Sequence, residues 1–129
     1  MSSPRYWREV PQRFRYEATK CDGCGRVHFP PRPVCPKCGS REASPTKLAE
    51  EGTVVSYTMI HIAPTPFEDQ APYPMAVIET DDGARLLAQV ADCDEENLKT
   101  GMRVRVAFRK IQEEGKSGIL CYGYKFVPV

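Results

Sequence analysis

Four cysteines in the first third of the chain, Cys21, Cys24, Cys35 and Cys38, follow the pattern C-x2-C-x10-C-x2-C and constrain the fold more than any other feature. Each half is a knuckle: Cys21-Asp22-Gly23-Cys24-Gly25, then Cys35-Pro36-Lys37-Cys38-Gly39. Two intervening residues let both sulfurs of a knuckle approach one ion at about 2.3 Å, as tetrahedral zinc requires. The glycine behind each second cysteine permits the tight backbone that turns amide N–H groups toward sulfur. Paired knuckles therefore predict a structural Zn2+ site, although the ten-residue gap is shorter than the usual ribbon spacing. Four protein ligands would fill the tetrahedron and leave no open position for chemistry.

The rival metal is iron in a rubredoxin-like centre, because Cys-Pro-x-Cys-Gly also occurs there. Nothing else in the sequence suggests electron transfer, and colour separates the two, since zinc thiolate is colourless. A disulfide framework fits less well. The start, Met1-Ser-Ser-Pro-Arg-Tyr-Trp-Arg, is polar and basic rather than an apolar signal peptide, so reduced thiols in a cytoplasm are expected. No apolar run approaches membrane-spanning length. The net charge of +1 hides an asymmetry: residues 1–47 carry 10 Lys+Arg against 4 Asp+Glu, and residues 48–129 carry 8 against 13. The basic front module, not the acidic remainder, is the expected contact for anions or an acidic protein surface.

Ser3-Pro4 reads as a helix start, with Tyr6, Trp7 and Val10 following before Pro11 opens a second short turn that reaches Phe14. Arg5, Arg8, Arg13 and Arg15 are interleaved with these aromatics. So short a helix needs something to pack on. That surface is either its own ribbon or a partner, and the presence of Trp7, the sole tryptophan, favours a docking element. Between the knuckles, Val27 and Phe29 alternate as a ribbon strand would, and His28 reads as an exposed ribbon residue because four cysteines already fill the metal site.

After a polar connector the hydrophobic period becomes two. Five strands are expected: Gly52 to Ile62, Pro74 to Glu79, Arg85 to Val90, Gly101 to Arg109, and Gly118 to Val127. Asp82-Gly83 marks a hairpin between the second and third. In the fourth, Val104, Val106 and Phe108 point one way and Arg103, Arg105 and Arg109 the other. Five short strands with a long connection between the third and fourth predict a small Greek-key barrel of the OB type, with Gly52 and Gly123 supplying bends. An open sandwich is the competing architecture. The interior of so small a barrel is filled by side chains, so ligands belong on outer faces or loops. The proline-rich loop Ala63 to Pro74, with Phe67 and Tyr73, is such a candidate.

The fold class expected is thus mainly β: an N-terminal helical docking segment (1–17), a four-cysteine zinc ribbon (18–46) and a five-stranded OB barrel (47–129). No catalytic constellation emerges. His28 and His61 lie in different modules, Cys93 sits among carboxylates that discourage its thiolate, and Cys121 lies in an apolar strand. No P-loop, nucleophile elbow or dinucleotide fingerprint is present. Nucleic-acid binding is disfavoured because the barrel half is net negative, although its arginines leave a small basic stripe on one strand.

Tyr6-Trp7-Arg8, followed by Cys21-Asp-Gly-Cys-Gly-Arg-Val-His-Phe-Pro-Pro-Arg-Pro-Val-Cys-Pro-Lys-Cys-Gly, resembles the family known as domain of unknown function 35. Gly52-Thr-Val-Val-Ser-Tyr-Thr, Gly101-Met-Arg-Val and Tyr122-Gly-Tyr-Lys-Phe extend the likeness over nearly the whole chain. The resemblance implies a helical segment and rubredoxin-like zinc ribbon ahead of an OB fold. It also implies a non-catalytic partner of acyl-CoA enzymes. The compact archaeal type joins acetoacetyl-CoA thiolase (acetyl-CoA acetyltransferase) to hydroxymethylglutaryl-CoA synthase at the start of the mevalonate pathway of isoprenoid biosynthesis, whereas relatives serve other thiolases or aldolases. On this basis Tyr6, Trp7, Val10, Phe14, Phe67 and Tyr73 are expected partner contacts. Arg5, Arg8, Arg13 and Arg15 are expected to meet CoA phosphates or an acidic partner surface.

Overall fold

A computed structural model of the chain describes residues 3–113 and 120–129. Two short helices, α1 (Ser3–Arg8) and α2 (Val10–Arg13), lead into β1 (Glu17–Cys21), β2 (Val27–His28) and β3 (Ala43–Lys47). These three strands form an antiparallel sheet in the order β2-β1-β3, so the two knuckles hang from one small ribbon. The second sheet contains β4 (Glu51–Ile60), β5 (Tyr73–Thr80), β6 (Arg85–Gln89), β7 (Arg103–Glu113) and β8 (Leu120–Pro128), in the order β6-β5-β4-β7-β8. A parallel bridge between Val90 and Phe126, with the Ala91 amide donating to the Phe126 carbonyl at 2.7 Å, brings the two edges together. The result is the five-stranded, nearly closed OB-like barrel that the period-two segments predict. The expected start of the fifth strand at Gly118 lies outside the described residues.

Alternation sets the barrel interior. Along β5, Pro74, Ala76, Ile78 and Thr80 are buried while the residues between them are half-exposed. Leu86 and Ala88 of β6 follow the same rule, and Leu48, Val54, Leu98, Val104 and Phe126 complete the centre. A bulge between Val54 and Ser56 shifts the register of β4 against β5, and β4 pairs with β7 only from Glu51 to Thr53. Gly52 does not act simply as a hinge. A Cβ there would stand 2.6 Å from the Glu79 carbonyl oxygen and 3.0 Å from Ile78 Cγ2, so glycine is required by the close approach of β5.

Val104, Val106 and Phe108 share a face but are not equally buried. Val104 is fully buried and Val106 half-buried, but Phe108 is 53% exposed. Beyond Val106 the β7 strand has left β4, and with β8 it projects from the barrel as a two-stranded arm. On this arm the N-terminal segment packs against Phe108. Phe14 meets Phe108 edge-on at 5.0 Å, and Tyr122 stacks on Phe108 at 5.4 Å. Gln70, at the end of a 3-10 turn formed by Thr65–Gln70, donates its side-chain amide to the Ile111 carbonyl at 2.9 Å. Lys125 Nζ donates to the Gln70 Oε1 atom at 3.1 Å.

Ribbon and barrel meet through aromatic rings. Tyr16 lies 5.4 Å from Phe29 of the ribbon and 5.8 Å from Tyr124 of β8, while Phe29 and Tyr124 are 5.3 Å apart. Burial pushes the Tyr16 hydroxyl well above its ordinary pKa.

Candidate metal centre and docking surface

The two knuckles repeat one geometry. In the first, the Gly25 amide donates to the Cys21 carbonyl at 2.9 Å and the Cys21 amide to Arg26 at 2.9 Å. In the second, the Gly39 amide donates to Cys35 and the Cys35 amide to Ser40, both at 2.9 Å. Gly25 and Gly39 sit at φ 76° and 75°, a left-handed conformation that L side chains adopt only under strain. The four sulfurs lie within 4.8 Å of one another, with Cys21 and Cys38 at 3.5 Å and Cys24 and Cys35 at 3.7 Å. Sulfurs about 2.3 Å from a central tetrahedral ion are about 3.8 Å apart, a spacing that the Cys21–Cys38 and Cys24–Cys35 pairs match.

The surroundings of the four thiols are not equivalent. The Cys38 amide, then His28, lowers the Cys35 thiol to about 5. The Cys24 amide lowers Cys21. Cys38 receives the Ser40 amide, yet the neighbouring sulfurs and burial outweigh it and raise that thiol to about 11. Amides turned into the site favour the thiolate form that metal needs.

His28 departs from expectation. It is half-buried rather than exposed, and its Nε2 stands 3.4 Å from Cys35 Sγ. It gets there because β2 pairs with β1, with His28 opposite Thr19. The sequence offered only its position seven residues before Cys35, which does not reveal a contact made by strand pairing. His28 also lines a cleft of about 540 Å³ between ribbon and barrel, whose rim carries Arg26, Arg32, Lys37 and Arg85.

The candidate docking residues separate into three groups. Trp7 is 75% exposed on α1, a helix whose main contact is α2. The side chain of Tyr6 lies outside the described residues. Val10 and Phe14 belong to the segment that packs back on β1 and β8, and Phe14 spends one face on Phe108. Phe67 and Tyr73 lie 6.0 Å apart beside the N-terminal segment, whose Arg13 shares their cavity. They line an apolar cavity of about 310 Å³ with Met75, Leu87, Ile111 and Tyr122.

The basic residues also divide. Arg5 and Arg13 both pair with Glu9, the former at 3.5 Å, and Arg15 reaches Glu17 at 3.6 Å. Arg8 is exposed on α1. The basic stripe expected on β7 is largely neutralised. Arg103 makes paired hydrogen bonds to Asp81 at 2.8 and 3.0 Å and another to Glu51 at 3.1 Å, and Arg109 meets Asp92 at 2.7 Å. Cys93 has its pKa raised by burial and then by Asp94, and Cys121 is buried. Among the described residues no helix is long and apolar enough to cross a membrane.

Comparison with known proteins matches both modules. Residues 8–43 match the ChsH2 rubredoxin-like zinc ribbon domain, and residues 46–109 match the ChsH2 C-terminal OB-fold domain. A DUF35 domain-containing scaffold protein of Methanocaldococcus jannaschii is 44% identical over 126 residues, covering 97% of this chain and 89% of that protein. Its counterpart in Methanothermobacter thermautotrophicus is 40% identical over 125 residues, covering 96% and 94%. Among solved structures, one described as the Ltp2-ChsH2(DUF35) aldolase superposes with a TM-score of 0.73 at 27% identity, covering 99% of this chain and 96% of that one.

Proposed function

The chain belongs to the DUF35 family, and from that premise we propose that it is a non-catalytic scaffold subunit that docks on acyl-CoA enzymes through its N-terminal helix. The observation that carries this reading is Trp7. A sole tryptophan held 75% exposed on a helix with little hold on its own body is a large apolar group without an internal use. Arg8 on the same helix supplies a charge for CoA phosphates or an acidic partner surface, while Arg5, Arg13 and Arg15 contribute from within their own ion pairs. Zinc bound by Cys21, Cys24, Cys35 and Cys38 fixes the ribbon between docking segment and barrel. Residues 1–17, 18–46 and 47–129 then act as docking segment, ribbon and barrel. Phe67 and Tyr73 offer a second contact surface at the cavity that Arg13 of the docking segment also lines.

The partners we assign are acetoacetyl-CoA thiolase and hydroxymethylglutaryl-CoA synthase, in a cytoplasmic complex of the mevalonate pathway. Supporting this are its Tyr122-Gly-Tyr-Lys-Phe126 motif and its 44% and 40% identity to two DUF35 domain-containing scaffold proteins. Holding two active sites together lets the second enzyme consume the product of an unfavourable condensation. A second reading, partner of an aldolase acting on CoA thioesters, is favoured by the description of the solved relative that superposes over nearly the whole chain.

Affinity capture from the native host at mild salt, read by mass spectrometry, decides between them. Thiolase recovered together with the synthase supports the assignment, and an aldolase alone supports the second reading. Ribosomal or replication proteins in their place overturn both. Trp7→Ala should weaken the complex by about 2 kcal/mol or more, roughly 30-fold, with zinc content unchanged. Undiminished co-elution of that variant would sink the docking role of α1.

A further inference from the structure

The two knuckles are near copies in backbone hydrogen bonding, yet one side chain breaks their equivalence: His28 places Nε2 3.4 Å from Cys35 Sγ. We propose that His28 is a positioning residue of the metal centre, donating its Nε2–H to the Cys35 thiolate and so strengthening metal retention and lowering the donor strength of that one sulfur. The proposal rests on the four cysteines being the metal ligands, and it assigns a role beyond them.

The direction of the hydrogen bond follows from chemistry. A metal-bound thiolate has no proton, so it only accepts, and the imidazole nitrogen facing it must carry the hydrogen. The ring therefore carries a hydrogen on Nε2 in the loaded protein. It is held there by the antiparallel pairing of β2 with β1, which sets the His28 backbone opposite Thr19. The ring is half-buried in the wall of the cleft between ribbon and barrel. A donor to a ligand sulfur draws charge from it, orients it and tunes the metal it binds. The first knuckle shows no matching imidazole: among the described residues His61 is the only other histidine, and it lies past β4.

Cobalt(II) makes the effect visible, because its sulfur-to-metal charge-transfer band reports thiolate donor strength. The comparison uses the full chain as wild type, His28→Phe and His28→Gln, the amide of glutamine being able to present an N–H where Nε2 stood. His28→Phe should move the charge-transfer band to lower energy and speed metal loss to a chelator by about 10- to 100-fold. His28→Gln should recover much of both. An unshifted band in the phenylalanine variant, even with faster metal loss, would show a packing role only and overturn the proposal. Equal defects in both variants would overturn it too. A wild-type chain that takes up no cobalt would overturn the metal reading itself, and this proposal with it.

Discussion

Single residues decide how charge is handled on this barrel. Arg103 is shared between Asp81 and Glu51, one from the β5–β6 turn and one from the start of β4, so it ties three parts of the barrel together at its surface. Hydrogen bonds from Arg103 hold the Asp81 carboxyl below its ordinary value of 3.8. A carboxylate whose folded pKa is depressed contributes stability above its unfolded pKa and loses it as the pH falls through the folded value. The difference in melting temperature between wild type and Asp81→Asn should therefore be full at pH 7 and shrink once the pH drops below about 4. A difference independent of pH would mean that the ion pair contributes nothing. The metal ligands were legible at this scale because their spacing is local and each knuckle closes on itself. His28 was not, because its contact is created by the register of two strands.

Elements show where periodicity stops being a guide. The alternation of β5 and β6 translates directly into buried and exposed faces, since both strands lie wholly within the barrel wall. On β7 the same alternation runs on past the barrel, so Val104 and Phe108 share a face but not an environment. Sequence reports which side a residue takes; it does not report where the neighbouring strand ends. The start of β4 at Glu51 sets that limit, and nothing in Ala49-Glu50-Glu51 announces it. Nor does the sequence say that Phe14, an apparent docking residue, would be used to cover the arm. Where β4 and β5 run closest, Gly52→Ala should destabilise the chain by about 2–3 kcal/mol in chemical denaturation, because backbone atoms cannot yield as a side-chain tip can. An unchanged midpoint would show that the two strands can separate without cost.

For the whole molecule, the hinge between modules is aromatic rather than ionic. Tyr16, Phe29, Tyr124 and Phe126 form one cluster reaching from ribbon to barrel core, so the ribbon is part of the same packed body that the metal organises. Removing zinc should abolish hydrogen-exchange protection in β1 to β3 first, while β5 and β6, paired to each other and buried independently of the knuckles, keep theirs. Simultaneous loss throughout would mean that the barrel cannot stand without the ribbon. The position of Trp7 has a further, optical consequence. The barrel interior holds tyrosine and phenylalanine but no indole, so the chain's intrinsic tryptophan emission comes from one solvent-washed site far from the core. Unfolding should barely change its colour, whereas capture by an enzyme surface should move it to the blue. The scaffold therefore carries its own fluorescent reporter, silent about folding and responsive to assembly.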